Sequence, residues 1–372
     1  QNIGLIGCGA ICHAYLKQAP LHPVLRFTAC ADLMPDKAQQ VAQQYGIPRV
    51  CSVDELIASP DVDIVLNLTI PKAHADVALK AIAAGKHTYA EKPLGVTRDE
   101  GKAILDAAKK RGVRVGCAPD TFLGAGHQTA RKLIDDGAIG RPLAAQALML
   151  GRGHESWHPN PEFYYQPGGG PMLDMGPYYL TALINMLGPI TAVTGFADIL
   201  IPQRTITHGD GKGGKGPKHG NQITVETPDH VTGSIRFASG AIGSITTSFA
   251  TAHSTHDGKH PITVFGSEGT LLVPDPNGFD GTVLLRKLAD KEYAEVSLTH
   301  TTGLQRAAGL ADMATAIATG RPHRASGDLA FNVLDAMIGF LDSSTTGRTV
   351  PTAADYQRPA ALPLNQPIGT WD

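Results

Sequence analysis

The sequence predicts an α/β protein of two parts. A doubly wound parallel sheet is expected over residues 1–120, then an α+β domain with a large open, mostly antiparallel sheet over 121–372. Three observations carry this reading. Up to Cys117, short runs rich in Val, Ile and Leu alternate with helical periods, the pattern of strands buried on both faces with a helix after each. After Gly116 the rhythm changes, and from Ile190 to Leu298 strand patterns follow one another between turn signals such as Ser239-Gly240, Ser267-Glu268-Gly269 and Pro276-Asn277-Gly278. The chain of 372 residues and 39.1 kDa is long enough for two cores.

In the first part, short apolar runs predict strands at Asn2–Ile6, Leu25–Ala31, Asp63–Leu68, Lys86–Ala90 and Val113–Cys117. Helical periods predict Ala10–Gln18, Asp36–Tyr45, Ala73–Ala84 and Arg98–Arg111 between them. In the second part a helix is expected at Gln128–Asp136 and a strand at Leu143–Leu150. A loop rich in aromatics, His, Pro and Gly follows over Gly151–Gly170, then a helix over Met172–Met186. Two helices, Leu304–Ala318 and Asp328–Ser344, precede a Pro-rich tail.

The strand Leu143–Leu150 is apolar on both alternating faces except at Gln146. An antiparallel sheet usually wets one face, so a second subunit is expected over the other, in a homodimer or homotetramer. The segment His208–Asn221, dense in Gly with Lys212, Lys215 and Lys218, reads as a solvated loop or as a basic lid over a polar substrate.

Composition narrows the function. Net charge is −2 and only 18% of residues are charged, which disfavours a nucleic-acid binder. No apolar run approaches the length of a membrane span, and a cytoplasmic protein is expected. The five cysteines, Cys8, Cys12, Cys30, Cys51 and Cys117, are odd in number and lack a CxxC pair, so free thiols are expected rather than disulfides or a zinc site.

Chemistry-bearing residues gather at the ends of the predicted strands. Gly7 and Gly9 follow the first strand directly, with Ala10 and Ile11 opening the helix. That is where a dinucleotide fold turns tightly and brings backbone N–H groups to a pyrophosphate. Asp32 ends the second strand, where a carboxylate accepts from ribose hydroxyls and repels a 2′-phosphate. NAD is therefore expected, with NADP less favoured. Thr69, Pro71 and His74 leave the third strand, and Glu91, Lys92 and Pro93 leave the fourth; ligands of open α/β sheets bind at these carboxyl ends.

A third constellation is Gly168-Gly169-Gly170-Pro171-Met172-Leu173-Asp174-Met175-Gly176-Pro177-Tyr178. Asp174 and Tyr178 are four apart and share a helical face. A free phenol is a poor base, but an ammonium such as Lys92 beside it favours the tyrosinate. His154 and His158 are also four apart, yet Pro159 and Pro161 argue against a helix there, so no metal is expected.

Together these segments resemble the glucose–fructose oxidoreductase/inositol dehydrogenase (MocA-like) family of NAD(P)-dependent oxidoreductases. The resemblance runs from the Gly7-Cys8-Gly9 loop through Glu91-Lys92-Pro93-Leu94 and the Gly168–Gly176 segment to Gly266-Ser267-Glu268-Gly269 and Gly309-Leu310-Ala311-Asp312. It implies a Rossmann domain, a sheet-rich second domain, oligomers, and substrates that are sugars, polyols or keto sugars. It further implies Lys92 as the catalytic lysine, Asp174 as its pocket aspartate, Tyr178 as the acid/base and a cis Lys92–Pro93 bond. Tyr rather than His at 178 points away from a typical inositol dehydrogenase. Asp120, Trp157, His158 and Tyr165 are expected to contact substrate beside Lys92, Asp174 and Tyr178, with His154 a further contact and His158 the rival acid/base. Two alternatives stay open: cleavage of glycosides assisted by transient oxidation, and a non-catalytic nucleotide-sensing regulator.

Overall fold

The computed structural model describes residues 1–209, 214–254 and 258–372. Five parallel strands form the first sheet: β1 (Asn2–Ile6), β2 (Arg26–Ala31), β3 (Ile64–Asn67), β4 (His87–Ala90) and β5 (Val115–Cys117), in the order β2-β1-β3-β4-β5. Helices α1 (Cys12–Gln18), α2 (Pro35–Tyr45), α3 (Val53–Ala58), α4 (His74–Ala83) and α5 (Arg98–Arg111) connect them. The order reverses direction at β1, so β1, β3 and β4 direct their carboxyl ends into one crevice. Local chemistry sets the boundaries. Thr97 and Glu100 cap α5 reciprocally, and Gly112 ends it in the left-handed region at φ 72°. The short α3 escapes the periodicity reading, although its Ser52–Glu55 capping box marks the start.

The second sheet has nine strands. They are β6 (Pro142–Leu150), β7 (Ile190–Asp198), β10 (His230–Phe237), β11 (Ile242–Ser248), β12 (Ile262–Gly266), β13 (Gly269–Val273), β14 (Val283–Lys287), β15 (Ala294–Val296) and β16 (Val350–Pro351), while β8 (Gln203–Thr205) and β9 (Gln222–Thr224) form a separate hairpin. Every pairing in the large sheet is antiparallel except β6 with β11. Helices α6 (Ala125–Asp135), α7 (Gly170–Asp174), α8 (Gly176–Leu187), α9 (Ala308–Thr319) and α10 (Gly327–Thr346) complete the chain. The helix expected over Met172–Met186 is thus two. The break falls at Met175, because Pro177 has no N–H to continue the first ladder.

One face of the large sheet is covered and the other is open. Strand β6 buries Ala145 and Ala147, whereas Gln146 is exposed. On the Gln146 side, cross-strand register aligns Ile242 and Phe265 with Ala144, and Phe196 with Leu148 through β10 and β11. Phe196 and Ile242 are 76% and 57% exposed there. The two parts also share an edge: Cys117 N–H donates to Ala325 O, and Gly116 bridges to Ser326. All five cysteines are free, and four of them are buried. Among the described residues, no helix is long and apolar enough to cross a membrane.

Candidate active site

The crevice begins at the β1–α1 turn. Gly7 has φ 98°, and a Cβ there would stand 2.6 Å from the Leu68 carbonyl carbon, so only glycine fits. A Cβ on Gly9 would meet no atom within 4 Å, which leaves the backbone open to a close ligand. Asp32 accepts from Cys8 N–H at 2.7 Å and from Met34 N–H at 2.8 Å, which holds a carboxylate at the end of β2. Beside it lie Leu33, 95% exposed, and half-exposed Met34. Ala10, Ile11, Thr69 and Pro71 line the same mouth without full burial. An open glycine cradle, an acceptor-only carboxylate and apolar flanks fit the pyrophosphate, ribose and adenine of NAD.

Two residues expected to line that crevice stand behind it instead. His74 is buried, with its nitrogens 2.7 Å from Pro93 O and 3.0 Å from Thr69 O. Burial lowers its pKa against the pull of those carbonyls. Glu91 is also buried; it accepts from the Tyr15 hydroxyl at 2.9 Å and from Lys92 N–H at 3.2 Å. Both fix the Lys92–Pro93 turn, which is cis as expected.

That turn delivers Lys92 to the second domain. Its Nζ donates to Asp174 Oδ1 at 2.8 Å and to Asp174 O at 2.7 Å, and stands 5.1 Å from the centroid of the Tyr178 ring. Burial works to lower the Lys92 pKa, but the charges of Asp174, Tyr178 and Glu91 raise it well above the usual range. Burial likewise works to raise Asp174, and Lys92 and His154 hold it well below the usual carboxylate range. Lys92 therefore stays an ammonium and Asp174 a carboxylate. The Tyr178 phenol is different: burial raises its pKa and outweighs Lys92 and Arg306, which lower it. Lys92 lowers it as expected, but desolvation is the larger effect.

The hydroxyl of Tyr178 accepts from Arg306 Nη2 at 3.1 Å. Pattern reading missed Arg306, since its only local signal is a position three residues before the Gly309-Leu310-Ala311-Asp312 segment. Asp120, expected to touch substrate, is fully buried; Oδ1 faces Arg306 Nη1 at 3.5 Å and Oδ2 accepts from Gly309 N–H at 3.0 Å.

The aromatic loop closes the other side. His154 Nε2 lies 3.4 Å from Asp174 Oδ2, and its ring stacks on Tyr164 at 3.8 Å. Tyr165 does not reach the cleft: it is fully buried, donates to Glu155, and accepts from His154 N–H at 3.1 Å. His158 accepts from Asn160 N–H at 3.0 Å and makes edge contacts with Trp157, Phe163 and Tyr164. None of its hydrogen bonds reaches Lys92, Asp174 or Tyr178, so His154 rather than His158 joins the polar cluster. Trp157 is 57% exposed and packs on His154. Between loop and turn lies a cleft of about 220 Å³, lined among others by Ile70, Pro71, Lys92, Phe163, Tyr164 and Asp174.

Of the basic segment, Lys218 pairs with Glu162 of the aromatic loop at 2.5 Å, while Lys212 lies outside the described residues. Among the described residues, no three His, Cys, Asp or Glu side chains could hold a metal ion.

A paired lysine and aspartate beside a phenol, facing a dinucleotide crevice, define an oxidoreductase site. Comparison with known proteins gives it a family. The NAD-binding Rossmann-fold model of an oxidoreductase family matches residues 1–118, and the GFO/IDH/MocA C-terminal domain model matches residues 127–272. Levoglucosan dehydrogenase of Pseudarthrobacter phenanthrenivorans is 30% identical over 297 residues, 73% of this chain and 73% of that protein. 1,5-Anhydro-D-fructose reductase of Ensifer adhaerens is 31% identical over 276 residues, 72% and 74% of the two chains. An NAD-binding oxidoreductase from Klebsiella pneumoniae shares the fold with a TM-score of 0.80 at 23% identity, over 95% of this chain and 99% of that one. The chain belongs to the GFO/IDH/MocA oxidoreductase family. It is an NAD(P)-dependent enzyme.

Proposed function

We propose that the protein transfers a hydride between nicotinamide and a hydroxyl-bearing carbon of a small sugar, polyol or keto sugar. The observation that carries this reading is the Lys92–Asp174 pair set against Tyr178 at the end of β4. Residues 1–120 hold the cofactor, through Gly7, Gly9, Ala10, Ile11, Asp32, Thr69 and Pro71, and residues 121–372 hold the substrate. When bound, the nicotinamide accepts or returns the hydride. In the oxidative direction Tyr178, as the tyrosinate, takes the hydroxyl proton and becomes the neutral phenol, while Lys92 donates to the same substrate oxygen and stabilises its developing charge. Asp174 keeps Lys92 charged and aimed, and accepts from a second hydroxyl. Trp157 and Tyr164 offer ring faces to an apolar sugar face. The named relatives act on levoglucosan and 1,5-anhydro-D-fructose, which supports compact anhydrosugars as first candidates here.

The carboxylate of Asp32 supports NAD over NADP. The open sheet face with Phe196, Ile242 and Phe265 supports a homodimer or homotetramer. Four buried thiols support a reducing, cytoplasmic setting. The test is a panel of anhydrosugars, hexoses and polyols with NAD and NADP, read at the reduced-nicotinamide absorbance. Reduction of NAD by at least one carbohydrate is expected, and no response to any would overturn the reading.

A second reading has its own observation. His154 lies on Asp174, and its buried Nδ1 has no partner, so the site holds a second proton-handling group besides Tyr178. Glycoside cleavage through a transient ketone needs such a base to remove the adjacent C–H proton as the glycosidic C–O bond breaks, with a proton passing to the departing oxygen so that the aglycone leaves as an alcohol. Water then adds across the resulting double bond, and the hydride returns. Release of aglycone without net reduced nicotinamide distinguishes this reading from the first.

A further inference from the structure

We infer that Arg306, held by Asp120, is the positioning residue that decides when Tyr178 gives up its proton. This rests on Tyr178 being the group that exchanges the substrate proton. Lys92 is the obvious cation for the task, yet its charge is matched by Asp174, to which it donates two hydrogen bonds, one to Oδ1 at 2.8 Å and one to the main-chain carbonyl at 2.7 Å. The hydrogen bond that reaches the phenol oxygen comes from Arg306 Nη2, at 3.1 Å. Its guanidinium carbon lies 5.3 Å from the centroid of the Tyr178 ring and 5.8 Å from that of Phe279.

Arg306 is itself placed from behind. Asp120 follows the cis Ala118–Pro119 bond after β5 and is fully buried. A side chain on Gly309 would collide with the Tyr89 hydroxyl at 2.3 Å and with Asp120 Cβ at 2.8 Å. Glycine there lets the first turn of α9 approach closely enough to donate to Asp120. Arg306 Nη1 and Asp120 Oδ1 stand 3.5 Å apart, and neither has a hydrogen-bond partner. The guanidinium is thus a partly buried, permanently charged donor whose shortest hydrogen bond goes to the phenol.

An arginine in this position acts in one direction. It cannot accept the phenolic proton, so it binds the tyrosinate more strongly than the neutral phenol. It also occupies one lone pair of the oxygen and leaves the reacting side free for a substrate hydroxyl or carbonyl. The other charged or titratable groups about the phenol are Lys92 and Glu91 after β4, Asp174 at the end of α7, and Tyr164 of the aromatic loop. Lys92 and Arg306 lower its pKa, and Glu91 and Asp174 raise it.

The test reads the phenol without needing substrate. The ultraviolet tyrosinate titration of the full-length protein is recorded for the parent and for Tyr178→Phe, and their difference isolates Tyr178. The same difference is then taken in an Arg306→Gln background. An upward shift of about one pH unit or more is expected, tenfold in tyrosinate population, with Arg306→Lys recovering most of it. Arg306→Gln leaves the Asp120 carboxylate buried and unpaired. Arg306→Gln/Asp120→Asn, which removes both charges, is therefore measured beside it and shifts the same way. An unchanged Tyr178 titration in both overturns the inference and leaves the hydride-transfer reading standing. Full turnover by Tyr178→Phe strikes that reading instead, and with it the premise used here.

Discussion

The two walls of the cleft are held in different ways. The floor is built on the ends of regular elements, Lys92 after β4 and Asp174 at the end of α7, with Tyr178 of α8 set against Lys92 and Arg306, before α9, set against Tyr178. Charges there are matched one to one, Lys92 with Asp174 and Arg306 with Asp120. The opposite wall is a loop pinned to the β8–β9 hairpin. Arg204 donates to Glu155 at 2.9 Å and to Asp229 at 2.7 Å, the Tyr165 hydroxyl donates to Glu155, and Tyr165, Ile206, Ile223, Val225 and Phe249 form a small core of their own. A floor fixed by the main sheets suits chemistry that tolerates little displacement. A wall with its own core can change shape, and with it substrate choice, without disturbing that floor.

The largest effect should come from breaking the floor. Lys92→Ala is expected to lower kcat by about 10²–10⁴-fold while NADH binding, read by fluorescence titration, changes little. Near-normal turnover would remove the floor from the chemistry. Arg204→Met should instead break the wall, since it leaves buried Asp229 and partly buried Glu155 without their cation. A loss of about 3–5 kcal/mol in stability is expected, with hydrogen exchange accelerated over residues 151–225 rather than in the first domain.

How far each wall can be read from the sequence follows the same division. The Gly7–Gly9 turn, the Lys92–Pro93 turn and the Asp174/Tyr178 pair are local motifs, each set by neighbours a few residues away, and Lys92 meets Asp174 and Tyr178 in the structure. Arg306 reaches Tyr178 across 128 residues, and nothing in its own neighbourhood announces that contact. Tyr165 looked like a substrate contact because it lies in an aromatic loop. Its burial depends on Ile206, Ile223 and Phe249, strands later in the chain. The β8–β9 hairpin itself is too short for periodicity to mark, and the break at Met175 is local chemistry hidden inside a continuous apolar stretch.

Asp174→Asn sharpens the comparison by pH. With the carboxylate gone, burial acts on Lys92 without its main opposing charge, so the ammonium pKa falls. Activity should then decline on the alkaline side at a lower pH than in the parent, as a pH profile of kcat/KM will show. An unchanged alkaline limb would separate Lys92 from Asp174. The smallest effect is expected at the rim: Trp157→Ala should raise KM by about two- to threefold and leave kcat alone, in keeping with a surface substitution.

The proposed division places chemistry in the floor and substrate selection in the wall. The most direct measurement is the single-turnover rate of hydride transfer to bound NAD at saturating sugar, compared between Lys92→Ala and Arg204→Met. A fall of at least about 10²-fold for Lys92→Ala, with Arg204→Met within about tenfold of the parent, is the predicted result. The reverse order would contradict the claim, because the pinned loop would then carry the transfer step itself.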